Sequence, residues 1–177
     1  TGPPPDYPRR QPFGRIPAFE HDGFQLYEAC AIARYVDDEF PGPRLQPDDA
    51  RQRARMTQIV SILDSYGYRP MLWDIYVERV ETARDARAVD EGRIADAVPK
   101  VRRCLAAISD LQGAGGFLAG ERLSLADLHA APMLAYLLAT PEGIALMAEL
   151  PGLTRWWQAM AGRASMAKTR PSPRAVA

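Results

Sequence analysis

The sequence predicts a mainly α protein in which a β-hairpin and one helix precede an all-α domain. Three observations carry this. Two short apolar runs flank His21-Asp22-Gly23, the pattern of paired strands around a tight turn. Apolar residues then recur at helical spacing from Glu28 almost to the C-terminal end. Between the two regions Pro41-Gly42-Pro43 reads as a linker, dividing the chain into residues 1–43 and 44–177.

Taken in order, residues 1–12 are crowded with proline, which favours extended or polyproline backbone and excludes a stable helix. Ile16 to Phe19 and Phe24 to Tyr27 read as strands, with Gly23 free to take positive φ in the turn. Glu28 to Glu39 places Ile32, Tyr35 and Val36 on one helical face, and the following prolines stop it. Asp48 and Asp49 can cap a helix in which Met56, Ile59, Val60, Leu63 and Tyr66 recur. Gly67 and Pro70 should bend it before Met71, Leu72, Ile75, Tyr76 and Val80 carry it on. A helix over about Asp90 to Gln112 has Ile94, Val98, Val101, Leu105, Ile108 and Leu111 inside and Pro99 as a local kink. Three more follow: Ser124 to about Ala139, Glu142 to Leu150, and Leu153 to Gly162. The tail from Ala164 has little apolar periodicity and two late prolines, so it is expected to be exposed.

Composition narrows the function classes. The 177 residues carry 22 basic and 22 acidic side chains, so no net field favours nucleic acid or an anionic membrane. Nearly all the basic residues are Arg, with only Lys100 and Lys168 as lysines, as in proteins of GC-rich genomes. No apolar run approaches the roughly 20 residues that span a bilayer, and no signal peptide is visible, so a cytoplasmic protein is expected. Cys30 and Cys104 both fall in helical patterns and read as free thiols of a reducing compartment, a single bridge being the alternative. Thr1-Gly2-Pro3-Pro4-Pro5 reads as an interior segment rather than a natural start.

Several residues could carry chemistry. Pro17 lacks an N–H, so Ile16-Pro17 is either an edge-strand dipeptide with no ligand or a turn that presents the Ile16 amide and carbonyl to an extended peptide. Glu28-Ala29 opens a helix, where unpaired N–H groups suit a carboxylate ligand; Glu28 could equally be a first-turn acid favoured by the helix dipole. Arg15 is either a carboxylate partner or a solvated surface residue. Ser124 and Asp127 have capping-box spacing, a structural role worth about 1–2 kcal/mol. Tyr66, Tyr68, Met71, Trp73 and Tyr76 cluster around Pro70, as core or as the lining of an apolar pocket. His21 and His129 have no neighbouring acid or nucleophile pattern, and metal-ligand spacing is absent.

Two segments carry a family resemblance. PFGRIPAFEHDGFQLYEACAIARY, residues 12–35, and GFLAGERLSLADLHAAPM, which begins at Gly116, resemble the glutathione S-transferase family of the bacterial, cytosolic type. The resemblance implies the second half of a thioredoxin-like domain followed by the family's all-α domain, with the first strand-helix-strand unit lying before Thr1. It implies that Ile16–Pro17 is cis, that Ile16 holds the cysteinyl backbone of glutathione, and that Arg15 lies near its glycyl end. Glu28 would receive the γ-glutamyl ammonium. Ala29 departs from the family pattern, which has a serine there. Tyr66 and Tyr68 would face the hydrophobic co-substrate, and Ser124 and Asp127 would open a buried central helix.

The implied activity is attack of the glutathione thiolate on a hydrophobic electrophile, with glutathione as co-substrate, no cofactor and no metal. The activating Ser, Tyr or Cys would lie upstream of Thr1, so no residue here is assigned as catalytic; the activity is that of the full-length parent, and the fragment alone is expected to be inactive. A homodimer is implied, with the Glu28–Glu39 and Asp49–Tyr66 helices near its interface. Other readings are a non-catalytic dimerisation or binding module, and a glutathione-dependent isomerase, dehalogenase or reductase on the same scaffold.

Overall fold

The computed structural model describes residues 4–169. Its elements are α1 (Tyr7–Arg10), β1 (Ala18–His21), β2 (Phe24–Tyr27), α2 (Ala29–Glu39) and α3 (Ala50–Ile62). π-Helical turns continue α3 over Leu63–Gly67 and Arg69–Thr82. Then come α4 (Glu91–Leu111), α5 (Leu125–Leu137), α6 (Pro141–Ala148), α7 (Pro151–Ala161) and α8 (Ala164–Thr169). The protein is therefore mostly helical with one antiparallel hairpin, as the pattern predicts.

The hairpin register pairs Ala18 with Tyr27, Phe19 with Leu26, Glu20 with Gln25 and His21 with Phe24. Asp22 and Gly23 both take positive φ, 49° and 80°, the conformation of a two-residue turn matched to strand twist. The Ile16–Pro17 bond is cis, and β1 begins at Ala18 rather than at Ile16 because the prolyl nitrogen has no proton for the ladder.

Other expectations need correction. Residues 1–12 are not wholly extended: Tyr7–Arg10 form one helical turn, with proline in its first positions, where an N–H is not needed. Beyond Ile62 the chain does not simply bend. Pro70 removes a backbone donor, and the helix proceeds with π-type bonding to Thr82. Ala164–Thr169 is helical, and it is exposed as expected except at Met166, which packs partly against the core. Pro171 and Pro173 lie outside the described residues.

The core forms where α3, its π-helical extension, α4 and α5 meet. Ile59, Leu63, Met71, Ile75 and Val101 are wholly buried there, as are Leu137 and Met160 nearer α7. Asp127 sits inside this core with no exposure and accepts four hydrogen bonds. Ser124 N and Ser124 Oγ reach its Oδ2 at 2.8 and 2.7 Å. Leu118 N and Trp156 Nε1 reach its Oδ1, each at 2.8 Å. The capping box of α5 thus also anchors the 113–120 loop and α7. Arg79 makes a comparable tie nearer the surface, holding Glu91 of α4 through two nitrogens at 2.6 and 2.8 Å and also reaching Glu142 of α6.

The Pro41-Gly42-Pro43 segment is fixed rather than slack. Asp37 of α2 is buried and accepts from Leu45 N at 2.7 Å and from Gln46 N at 3.0 Å. Leu45 O in turn accepts from Leu125 N at the start of α5, at 3.2 Å. Among the described residues no helix is long and apolar enough to cross a membrane.

Candidate functional site

A cleft of about 730 Å³ runs between the hairpin–α2 unit and the helices beyond it. One wall comes from the segment before β1 and the start of α2: Gln11, Arg15, Ile16, Pro17, Glu28 and Ala29. The facing wall is largely apolar, with Tyr68 and Leu72 from the π-helical segment and Leu128, Pro132, Met133 and Tyr136 from α5. One polar wall faces one apolar wall, the arrangement of a site for a ligand with a polar end and a hydrophobic partner.

Local structure explains how the polar wall is held. Gln11 is buried, and its Oε1 accepts from Arg15 N at 2.9 Å, while Tyr7 Oη donates to Arg15 O at 2.7 Å. These bonds fix the loop that leads to Ile16, whose side chain is 85% exposed just before the first paired strand residue. Glu28 is the N-cap of α2 at φ 73° and ψ 118°, a region that side chains with a Cβ rarely occupy. Such conformations persist only where surrounding structure imposes them, and they concentrate at ligand sites. The side chain of Glu28 makes no capping bond and lines the cleft.

Arg15, Ile16, Pro17, Glu28, Ala29 and Tyr68 are brought together in this cleft. Tyr66 is not: it is 67% exposed and lies away from the lining. Two positions along a helix point to different faces, so Tyr66 and Tyr68 do not share one pocket. Met71 is core, Trp73 is exposed, and Tyr76 packs behind the wall with its ring 4.8 Å from that of Tyr136. Ser124 and Asp127 lie in the core, away from the cleft.

The structure also assembles a constellation that sequence spacing does not reveal. Cys30 of α2, Asp64 of the first π-helical turn and His129 of α5 meet on the cleft surface. His129 Nε2 lies 2.7 Å from Asp64 Oδ1. Cys30 Sγ lies 3.4 Å from Asp64 Oδ2 and 3.5 Å from His129 Nδ1. The carboxylate assigns the proton of a neutral His129 to Nε2, which leaves Nδ1 as an acceptor facing the thiol. Burial, then the charge of Asp64 and its hydrogen bond, push the Cys30 thiol up to about 12. Cys30 is thus a protonated thiol at neutral pH and a poor nucleophile. His129 is half-buried at the cleft rather than part of the core. Cys104, a free thiol deep in the core, is pushed up to about 11 by burial.

Comparison with known proteins gives consistent matches. The family profile for the glutathione S-transferase N-terminal domain matches residues 1–38, and that for the C-terminal domain matches residues 82–159. Glutathione S-transferase 4 of Zea mays is 30% identical over 90% of this chain and 70% of its own length. Glutathione S-transferase F14 of Arabidopsis thaliana is 31% identical over 89% of this chain, which spans 63% of that relative's length. The crystal structure of glutathione transferase F2 from Populus trichocarpa superposes with a TM-score of 0.82 at 29% identity, covering 93% of this chain and 78% of that one.

Proposed function

Because this chain belongs to the glutathione S-transferase family, we propose that its cleft binds glutathione on the polar wall and a hydrophobic electrophile against the apolar one. The observation that carries the reading is the convergence of Arg15, Ile16, Glu28 and Ala29 on one side of a single cleft. In this reading Ile16 offers its backbone to the cysteinyl residue, as an added strand would use it. Glu28 receives the ammonium of the γ-glutamyl group, the N–H groups at the start of α2 face its carboxylate, and Arg15 pairs with the glycyl carboxylate.

The reaction proposed is conjugation. The glutathione sulfur loses its proton, forms a bond to the electrophilic carbon, and the leaving group departs with the displaced electron pair. Tyr68, Leu72, Met133 and Tyr136 supply an apolar surface for the second substrate. Glutathione is consumed as co-substrate and no organic cofactor is needed. No catalytic residue is assigned in this chain: a free thiol ionises near pH 8.5, so conjugation at neutral pH needs a donor that stabilises the thiolate. We further propose a homodimer with α2 and α3 near its interface, a cytoplasmic location, the bacterial, cytosolic type of the family, and a role in detoxification. The division at residues 43 and 44 separates the glutathione-binding part from the helical part.

One observation favours a second reading, a non-catalytic binding module: Ala29 lacks the hydroxyl that would donate to the ligand carboxylate. Calorimetric titration with glutathione, paired with turnover of a chlorinated aromatic substrate, tests both. Binding by this chain is the expected result, with turnover only where the thiolate-activating donor is also supplied; binding without turnover in that case establishes the module. Absence of binding overturns both readings. Turnover of an isomerase, dehalogenase or disulfide substrate in place of conjugation reassigns the chemistry on the same scaffold.

A further inference from the structure

We propose that Cys30, Asp64 and His129 form a binding site for a zinc-class divalent cation at the cleft surface, independent of whether the cleft takes glutathione. The donor set is one sulfur, one imidazole nitrogen and one carboxylate oxygen, each a common zinc ligand. These three atoms lie within 4.8 Å of one another. A tetrahedral ion about 2.3 Å from sulfur and about 2.0 Å from nitrogen or oxygen sets sulfur–nitrogen and sulfur–oxygen edges of about 3.5 Å. The observed edges are 3.5 Å to His129 Nδ1 and 3.4 Å to Asp64 Oδ2.

The surroundings suit a cation as well as the distances do. Without the ion Asp64 Oδ1 lies 2.7 Å from His129 Nε2, a contact the carboxylate gives up when it turns to ligate the ion held by Nδ1. The three side chains come from α2, the π-helical turn and α5, so helical backbone rather than loop positions them. The negative charge that makes a bare Cys30 thiolate unfavourable beside Asp64 becomes favourable once a dication lies between them. On binding, the Cys30 thiol loses its proton to solvent, and thiolate plus carboxylate balance the charge of the ion. Three protein ligands leave a fourth position open towards the cleft, where water completes the shell.

Cobalt(II) titration of the full chain, first stripped with a chelator, tests this. The expected result is one cobalt per chain, with a thiolate-to-cobalt charge-transfer band and the intense visible bands of tetrahedral cobalt, bleached by equimolar zinc. Cys30→Ser should abolish the charge-transfer band, and His129→Gln should weaken cobalt binding at least tenfold. Cys104→Ala should leave the spectrum unchanged. No band in the unmodified chain, a band that survives Cys30→Ser, or unweakened binding in His129→Gln overturns the proposal. Far-UV circular dichroism identifies variants that fail to fold. In that event zinc protection of Cys30 from alkylation, read by peptide mass spectrometry on the unmodified chain, decides. Protection supports the site, and equal labelling with and without zinc overturns it.

Discussion

Trp156 Nε1 donates to Asp127 Oδ1 at 2.8 Å inside the core, so an indole of α7 and the first turn of α5 are held by one carboxylate. Asp127→Ala removes the acceptor of three backbone or indole N–H groups at once and leaves them buried. A lost cap alone would cost about 1–2 kcal/mol. Orphaned buried donors cost more, so a loss of at least about 3 kcal/mol is expected. Urea denaturation checks this, with Trp156→Phe, which vacates only one of the four bonds, as the milder comparison. A loss of about 1 kcal/mol for Asp127→Ala reduces the residue to an ordinary cap.

Gly143→Ala should destabilise the protein although alanine is the better helix former by about 1 kcal/mol. A Cβ at Gly143 would run into the backbone carbonyl of Leu137, which cannot rotate away as a side chain could. Crowding of this kind costs about 1–3 kcal/mol. A raised melting temperature in Gly143→Ala would show that the turn between α5 and α6 gives way easily.

Ala29→Ser should tighten glutathione binding. A hydroxyl at the first residue of α2 adds a donor to a charged carboxylate, worth about 1.5 kcal/mol or more, roughly tenfold in Kd. Calorimetry on both proteins measures it. Equal or weaker affinity displaces the γ-glutamyl group from this end of the cleft.

The Cys30 thiol should resist alkylation through pH 9, since burial first, and Asp64 second, raise it from 9.0 to about 12. Asp64→Asn should speed labelling by removing the second cause and leaving the first. The same shift sets a stability trend. The unfolded thiol ionises near 9.0 while the folded one keeps its proton, so this contribution is complete below about pH 9 and fades as the pH climbs towards 12. Denaturation midpoints should fall over that window more in Cys104→Ala than in the Cys30→Ser, Cys104→Ala double variant, because the raised Tyr35 and Tyr76 titrate there as well. Equal falls in the two remove the effect.

Much of the architecture is legible in local pattern. Asp-Gly between apolar runs specifies the hairpin turn, and the periodic stripe from Ile94 to Leu111 specifies α4. Tyr7–Arg10 escaped because prolines at a helix start read the same as prolines in extended chain. The π-helical run to Thr82 escaped because a shift in hydrogen-bond register leaves the apolar pattern helical. On the polar wall, Ile16, Pro17 and Glu28 were accessible through the family resemblance. Gln11 was not, since its role is a side-chain bond to Arg15 N in a loop without periodicity. Cys30, Asp64 and His129 are separated by 34 and 65 positions, so only the packing of α2 against α5 unites them.

The buried carboxylate of Asp37 acts as a splint across the junction between the two walls of the cleft. With the chain after α2 clamped to Asp37 on one side and to the start of α5 on the other, the cleft mouth holds a set width. On the proposed reading of the cleft, selection among bulky guests then falls to the trim of Tyr68, Met133 and Tyr136. Broadening what the cleft admits calls for smaller side chains on that wall rather than a looser joint.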